Sequence, residues 1–141
     1  MINTIKLYFI LSLLLSCGNN IKDHTNPTTY TPLSTIDSWF TNQTSNQQIY
    51  QEGTVYKILQ DDNEGNRHQK FIIKLRNDKT LLISHNIDIS NRISNLKNGD
   101  KIIFLGEYEW NKKGGVIHWT HKDPKGRHPD GYLMHDGKKY E

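Results

Sequence analysis

From residue 53 onward, apolar and polar residues alternate with the period of two that is typical of β-strands. Five stretches are predicted as strands: residues 53–60, 69–76, 80–85, 101–110 and 115–121. Between the third and fourth strands, residues 86–98 carry apolar side chains at mixed spacing, which predicts a short helix or a crossing loop. The pattern therefore predicts an all-β domain.

The second and third predicted strands form a hairpin around a turn at residues 77–79. Matching their apolar faces pairs Leu75 with Leu81, Ile73 with Ile83 and Phe71 with His85. Three strands, a crossing segment and a closing hairpin follow the strand order of a small five-stranded oligonucleotide/oligosaccharide-binding (OB) barrel. The predicted fold is this OB-like barrel with a short helix between strands three and four, and an open α+β sheet is the alternative.

The first 48 residues lack this alternation. Residues 1–16 combine a lysine with an apolar run much shorter than the roughly 20 residues that span a bilayer, and they end at a lipobox-like Leu-Leu-Ser-Cys. We therefore expect a lipoprotein signal peptide, an acylated Cys17 that binds the lipid membrane, and export toward the periplasm. Residues 17–48 are predicted as a flexible tether and residues 49–141 as the barrel domain.

Within the tether, three apolar residues interrupt the polar composition: Ile36, Trp39 and Phe40. Their spacing predicts one helical turn that docks on the domain, with Ser34 as its cap. The chain has one cysteine, so an intramolecular disulfide is excluded.

The net charge of +3 at pH 7 is too small to indicate nucleic-acid binding by itself. Its distribution is uneven, because residues 111–140 contain seven Lys or Arg against three Asp. A solvated surface is the commoner explanation for such a run, and a polyanion site is the alternative.

Six of the seven histidines lie in the predicted domain. In an OB barrel the third and fifth strands are parallel, so their ends meet at one rim, together with the start of the second strand. Histidine is the commonest metal ligand and carries protons near neutral pH. The sequence therefore predicts a divalent-metal site at this rim, with zinc the best candidate, from His68, His85, His121, Asp123 and His128. Framework hydrogen bonds at strand ends are the alternative role.

Catalytic candidates follow from the closing hairpin. Pairing Tyr108 with Ile117 places Glu107 opposite His118, which suits a general acid/base pair, although a weak surface ion pair is the commoner outcome. Asp123 is a second candidate base, and Arg127 a candidate phosphate-binding group.

Ligand binding is expected at Arg67, Trp110, Lys125 and Arg127. OB barrels stack bases or sugars on aromatic side chains, so a nucleic acid or a saccharide is a candidate partner. Aromatic residues at alternating positions are more often core, which applies most to Trp119. The tail after residue 122 is predicted as a series of turns that covers the rim.

The string GEYEWNKKGGVIHWTHKDPKGRH at residues 106–128, with DDNEGNRHQKFI and LLISHNIDIS upstream, resembles domain of unknown function 3465. This is an uncharacterised family of short exported bacterial proteins, and the resemblance spans residues 51–141. It implies an exported, OB-like domain with these limits and implies no activity.

The leading hypothesis is a membrane-tethered binding module whose histidine-rich rim holds a metal ion or an anionic or polar ligand. The alternatives are a metal-dependent hydrolase, either a phosphodiesterase or a nuclease, and a structural envelope lipoprotein. Fold alone does not decide among them.

Overall fold

A computed structural model describes residues 27–141 of the chain. The predicted signal peptide, Cys17 and the first part of the predicted tether lie outside these residues. The described elements are α1 (Leu33–Thr41), β1 (Gln47–Ile58), β2 (His68–Lys74), β3 (Thr80–Asn86), β4 (Lys101–Glu109), β5 (Val116–His118), β6 (Tyr132–His135) and β7 (Lys138–Tyr140). Within this part of the chain, no helix has the length and apolar character needed to cross a membrane.

Strands β1 to β5 close into a barrel. β1 pairs antiparallel with both β2 and β4, while β3 pairs parallel with β5. The hairpins β2–β3 and β4–β5 complete the ring. The predicted all-β, OB-like barrel is confirmed, and the open sheet is wrong.

β1 serves two neighbours because it changes partner along its length. Residues 47–54 pair with β4, and residues 54–58 pair with β2. A register shift between Val55 and Lys57 marks a bulge, which bends a strand and increases its twist. This bend allows one strand to close the barrel.

The β2–β3 hairpin has the predicted faces but a different register. Phe71 pairs with Ile83, and Ile73 pairs with Leu81, two residues away from the predicted partners. The hairpin closes at Leu75, whose N–H donates to the carbonyl of Lys79 at 2.8 Å. The loop is therefore three residues long instead of the five that the predicted pairing required, and a shift by two residues keeps every side chain on its predicted face.

The only helix of the described residues precedes the barrel. Residues 86–98 were predicted as a short helix or a crossing loop. Residues 87–100 form turns and irregular structure, so the short helix between strands three and four is wrong and the crossing loop is correct. In α1, Ile36 is 1% exposed in the core, and Pro32 stands at the N-cap, where no side chain caps the helix, so the predicted Ser34 cap is wrong. The folded domain therefore begins before residue 49, which lies inside β1.

The barrel interior holds the hydrophobic core. Alternate residues of β2, β3 and β4 are buried, which is the consequence of their period-two pattern. The core side chains include Ile49, Val55, Phe71, Ile73, Leu81, Ile83, Ile102, Phe104, Tyr108, Ile117 and Leu133. Alternating polar residues of the same strands lie on the outer face.

The tail forms a hairpin, β6–β7, where only turns were predicted. β6 pairs with residues 103–105 of β4, and β5 pairs with residues 107–109 of the same edge. The two segments diverge at Gly106, where an added Cβ would lie 2.4 Å from the carbonyl oxygen of His118. A glycine is required there because the chain leaving β5 passes directly over β4.

Candidate functional site

The chain bends sharply where β5 ends. Trp119 has a φ of 53°, in the left-handed region that bulky side chains rarely adopt, at a cost of about 1–3 kcal/mol. Continued alternation would have sent Trp119 into the core beside Ile117. Instead Trp119 is half-buried outside, and Thr120 is 0% exposed. Trp119 was predicted as a core residue, and the bend removes it from the core.

Gly131 packs against this bend from the returning tail. Its N–H donates to the carbonyl of His121 at 2.9 Å. A Cβ at Gly131 would lie 1.8 Å from the carbonyl oxygen of Trp119 and 2.6 Å from that of Leu105. The contact closes a loop of residues 121–131, which we call the basic loop.

A recess of about 260 Å³ lies on the outer face of the sheet next to the bend. We call it the histidine pocket. It is lined by side chains from the β1–β2 loop, the start of β2, the end of β3 and the end of β5: Asn66, His68, Ser84, Asn86, Ile89, His118, Trp119 and His121. Two of the predicted rim histidines, His68 and His121, thus share one site.

His118 belongs to this pocket, although it was predicted only as the partner of Glu107. Because Ile83 pairs with Ile117 across the parallel β3–β5 ladder, Ser84 and His118 are neighbours on the outer face. The predicted faces of these strands already contained that information. What alternation did not show was the reversal at Trp119, which places His121 in the same pocket.

The hydrogen bonds of the pocket histidines define their chemistry. His121 Nδ1 lies 2.7 Å from the carbonyl oxygen of Lys122, so Nδ1 donates and a neutral ring keeps a lone pair on Nε2. Burial lowers the pKa of His118, and the charge of His68 acts in the same direction against the weaker effects of Glu109 and Glu107. These effects favour the neutral form of His118.

His128 stacks on the indole of Trp119, with ring centroids 3.9 Å apart and planes 9° from parallel. Its Nε2 lies 2.8 Å from Glu107 Oε2, and its Nδ1 lies 2.8 Å from the carbonyl oxygen of Pro129. Both partners offer oxygen acceptors to the ring nitrogens of His128. The cross-strand pairing of Glu107 with His118 is confirmed for the backbone, but the Glu107 carboxylate binds His128.

His85 lies on the other side of the sheet. It is 0% exposed, its Nδ1 is 2.8 Å from Thr120 Oγ1, and its Nε2 is 3.2 Å from the carbonyl oxygen of Asn91. Burial lowers its pKa to about 4. His85 is a framework residue that closes the barrel end, and its predicted place at the rim with His68 is wrong because β3 turns it inward.

Asp123 holds the basic loop together. Its Oδ1 accepts the N–H of Lys125 at 3.0 Å, and its Oδ2 accepts those of Arg127 and His128 at 2.7 and 2.9 Å. These backbone hydrogen bonds lower its pKa to about 2. A carboxylate with these three donors is a poor base, so the geometry does not support the predicted catalytic role of Asp123.

The basic loop encloses a second recess of about 430 Å³, lined by residues 122, 123 and 126–130. The side chains of Lys125 and Arg127 are exposed on this loop and have no ion-pair partner among residues 27–141. Both residues were predicted to bind ligand, and of the two only Arg127 lines the recess. His128 lines the same recess and stacks on Trp119, which lines the histidine pocket.

The other two predicted ligand-binding residues make structural contacts. The Nε of Arg67 lies 2.7 Å from Asp88 Oδ1, which ties the start of β2 to the segment after β3. The indole N–H of Trp110 donates to the carbonyl of Phe40 at 3.0 Å and holds α1 against the barrel. Neither side chain lines the histidine pocket.

The structure does not bring the predicted metal ligands together. In the described part of the chain, no three His, Cys, Asp or Glu side chains converge so as to hold a metal ion. His68 and His121 share the histidine pocket, whereas His85 is in the core. Asp123 accepts hydrogen bonds from the backbone of the basic loop, and His128 stacks on Trp119.

Fold and site together define an OB-like barrel protein with a polar, histidine-lined recess on its outer face. The chain belongs to the family described as Protein of unknown function (DUF3465), which matches residues 23–141. The family resemblance is thereby confirmed. The match begins before residue 51, where the predicted resemblance began, and it includes α1. Neither the curated proteins nor the solved structures contain a match to this chain.

Proposed function

We propose that this protein is an exported, membrane-tethered binding module whose histidine pocket binds a small polar or anionic ligand. The observation that carries the proposal is the left-handed backbone of Trp119, which moves an indole out of the core and into the wall of the pocket. Strained backbone of this kind clusters at ligand sites, where the surrounding structure offsets its cost.

The chemistry of the lining supports a polar ligand. Burial favours the neutral form of His118, and Nε2 of His121 is available to a ligand while its Nδ1 donates to the carbonyl of Lys122. The amides of Asn66 and Asn86 supply both donors and acceptors. Convergent polar groups beside one aromatic wall are typical of small-molecule sites, and the outer face of the second and third strands is where OB barrels bind ligands.

A metal-dependent hydrolase has less support. Its proposed base, Asp123, is occupied by three backbone N–H groups. Within residues 27–141 the side chains needed for a three-ligand metal site do not converge. Binding therefore explains the described geometry better than metal-assisted hydrolysis.

The membrane tether rests on the lipobox-like sequence before Cys17. We expect Cys17→Ser to move the protein from the membrane fraction to the soluble envelope fraction, because the acyl chains supply the membrane affinity. Fractionation of cells that express either form measures this. Equal membrane retention of the two forms would contradict the anchor.

Ligand binding is tested with histidine side-chain NMR of the purified protein. The probe is the small-molecule fraction of a cell-envelope extract, below about 1 kDa, in keeping with a recess smaller than the usual ligand pocket. We expect the signals of His68, His118 and His121 to shift while that of His85 stays unchanged, because His85 faces the core.

Ser84→Arg fills the pocket and should abolish those shifts. Ser94→Arg, the same change at an exposed position outside the pocket, is the matched control and should preserve them. Signals that do not respond to the extract, or that respond equally in both variants, would overturn the proposed function.

A further inference from the structure

We infer that the ligand is a nucleotide, free or as one unit of a single strand, with its base on Trp119 in the histidine pocket and its phosphate at the basic loop. This inference rests on the proposed function and names the ligand class for the same site. It adds the second recess, which shares the Trp119–His128 stack with the first.

The indole of Trp119 is a preformed stacking surface. His128 covers one face at 3.9 Å and is itself fixed by hydrogen bonds to Glu107 and Pro129. Trp119 also lines the histidine pocket, where the ring of His121 lies against it in a tilted arrangement, with centroids 5.5 Å apart and planes 42° apart. A ring already immobilised loses little further conformational entropy when a ligand stacks on it, and stacking accepts any nucleobase.

The polar groups around this surface suit the edge of a heterocycle. The Asn66 and Asn86 amides, the Ser84 hydroxyl and the ring nitrogens of His118 and His121 offer donors and acceptors to a base. These groups would also suit the hydroxyls of a saccharide. Charge separates the two classes of ligand.

Two exposed cations of the basic loop favour an anionic ligand. Lys125 and Arg127 have no ion-pair partner among residues 27–141, and Asp123 fixes the backbone that presents them. Three carboxylates on the β1–β2 loop and after β3 are already engaged in ion pairs: Asp61 with Arg92, Asp62 with Lys70 and Asp88 with Arg67. Two carboxylates line the second recess itself, and both accept backbone N–H groups: Asp123 from three residues and Asp130 from Asp123. A phosphate at the basic loop therefore meets the unpaired Lys125 and Arg127 beside two carboxylates that are already hydrogen-bonded.

Calorimetry of the full chain with defined compounds tests this inference. AMP is expected to bind at least tenfold tighter than adenosine or ribose 5-phosphate, because each of these lacks one of the two interactions. An oligoadenylate of eight nucleotides distinguishes the sources. Tighter binding than AMP with a steep salt dependence identifies a single strand, and equal or weaker binding identifies a free nucleotide.

Two matched pairs of variants separate the two interactions. Trp119→Leu should weaken AMP about 10- to 100-fold, and Tyr56→Leu, at an exposed aromatic elsewhere, should leave it unchanged. Lys125→Gln with Arg127→Gln should weaken AMP on the order of tenfold without affecting adenosine. Lys112→Gln with Lys113→Gln removes the same charge from another loop and should have no effect. The lysine and arginine variants change exposed side chains, so they remain informative if Trp119→Leu fails to fold.

N-acetylglucosamine binding as tightly as AMP, or adenosine and AMP binding equally, would overturn the nucleotide inference and leave the pocket as a site for another polar ligand. Absence of binding by all of these compounds, together with histidine signals that do not respond to the envelope extract, would overturn the proposed function as well.

Discussion

His85 and His118 lie on neighbouring parallel strands at the same end of the barrel, yet they face opposite sides of the sheet. His85 is 0% exposed, with both ring nitrogens in hydrogen bonds. His118 lines an open recess on the outer face, and no hydrogen bond of its ring lies within the described residues. The contrast shows that the face of the sheet, rather than the residue type, separates framework histidines from those available to a ligand.

One short segment connects the two faces. Thr120 points inward and bonds to His85, while Trp119 and His121 line the outer pocket. The left-handed conformation of Trp119 places these side chains on opposite faces of the sheet. Gly131, in the tail, packs against the Trp119 backbone and supports that conformation. The framework and the candidate site are therefore parts of one structure, so a change at the bend should affect both.

Gly131→Ala has the largest expected effect, because it disturbs the bend at Trp119 that both faces of the sheet share. The added methyl group would collide with the backbone carbonyl oxygens of Trp119 and Leu105. Backbone atoms cannot move aside as the end of a flexible side chain can. We expect the free energy of unfolding to fall by about 3 kcal/mol or more. Denaturant unfolding of wild type and variant measures this, and NMR should show that His85 and His118 signals both change.

Gly126→Ala is the matched control in the same loop. Its φ of 60° is unfavourable for alanine, but an added Cβ meets nothing within 4 Å. We expect a loss of about 1 kcal/mol from the backbone conformation alone. Equal losses in the two variants would show that the close contacts of Gly131 do not support Trp119.

The barrel was predictable because its signal is local and repeated. Alternation along β2 to β5 fixes which residues face inward, and the pairing of Tyr108 with Ile117 follows from matching those faces. Matching faces tolerates a shift of two residues, which explains the register error in the β2–β3 hairpin. The hairpin loop, with Asp78 at a φ of 64°, decides the register.

The candidate site was harder to predict because it depends on contacts between distant parts of the chain. Nothing in the local pattern around Trp119 requires a left-handed backbone, since its support comes from Gly131 and from the passage over Gly106. The docking of α1 depends likewise on Trp110, which bonds to Phe40. Counting histidines at strand ends found the correct end of the barrel but placed His85 on the wrong face and left His118 out of the pocket.

The next effect that we predict concerns the same two histidines and uses pH to compare them. Burial lowers the pKa of His85 to about 4 from the ordinary value of 6.5. Between these two pH values His85 is protonated in the unfolded chain and neutral in the folded chain. The contribution of a neutral His85 is therefore complete above pH 6.5 and is lost as the pH falls toward 4. The expected loss is roughly 3 kcal/mol when the lowered pKa is converted to free energy.

His85→Leu removes this titration, so its free energy of unfolding should fall less than that of wild type between pH 7 and pH 4. The pKa of His118 is also lowered, and His118→Leu should flatten the same profile less, because its ring borders an open recess where desolvation is incomplete. Urea unfolding at a series of pH values measures both variants against wild type. The free energy of unfolding could instead change its pH dependence more in His118→Leu than in His85→Leu. That result would mean that His118, and not His85, is the histidine whose protonation the fold opposes, and it would reverse the assignment of the two faces.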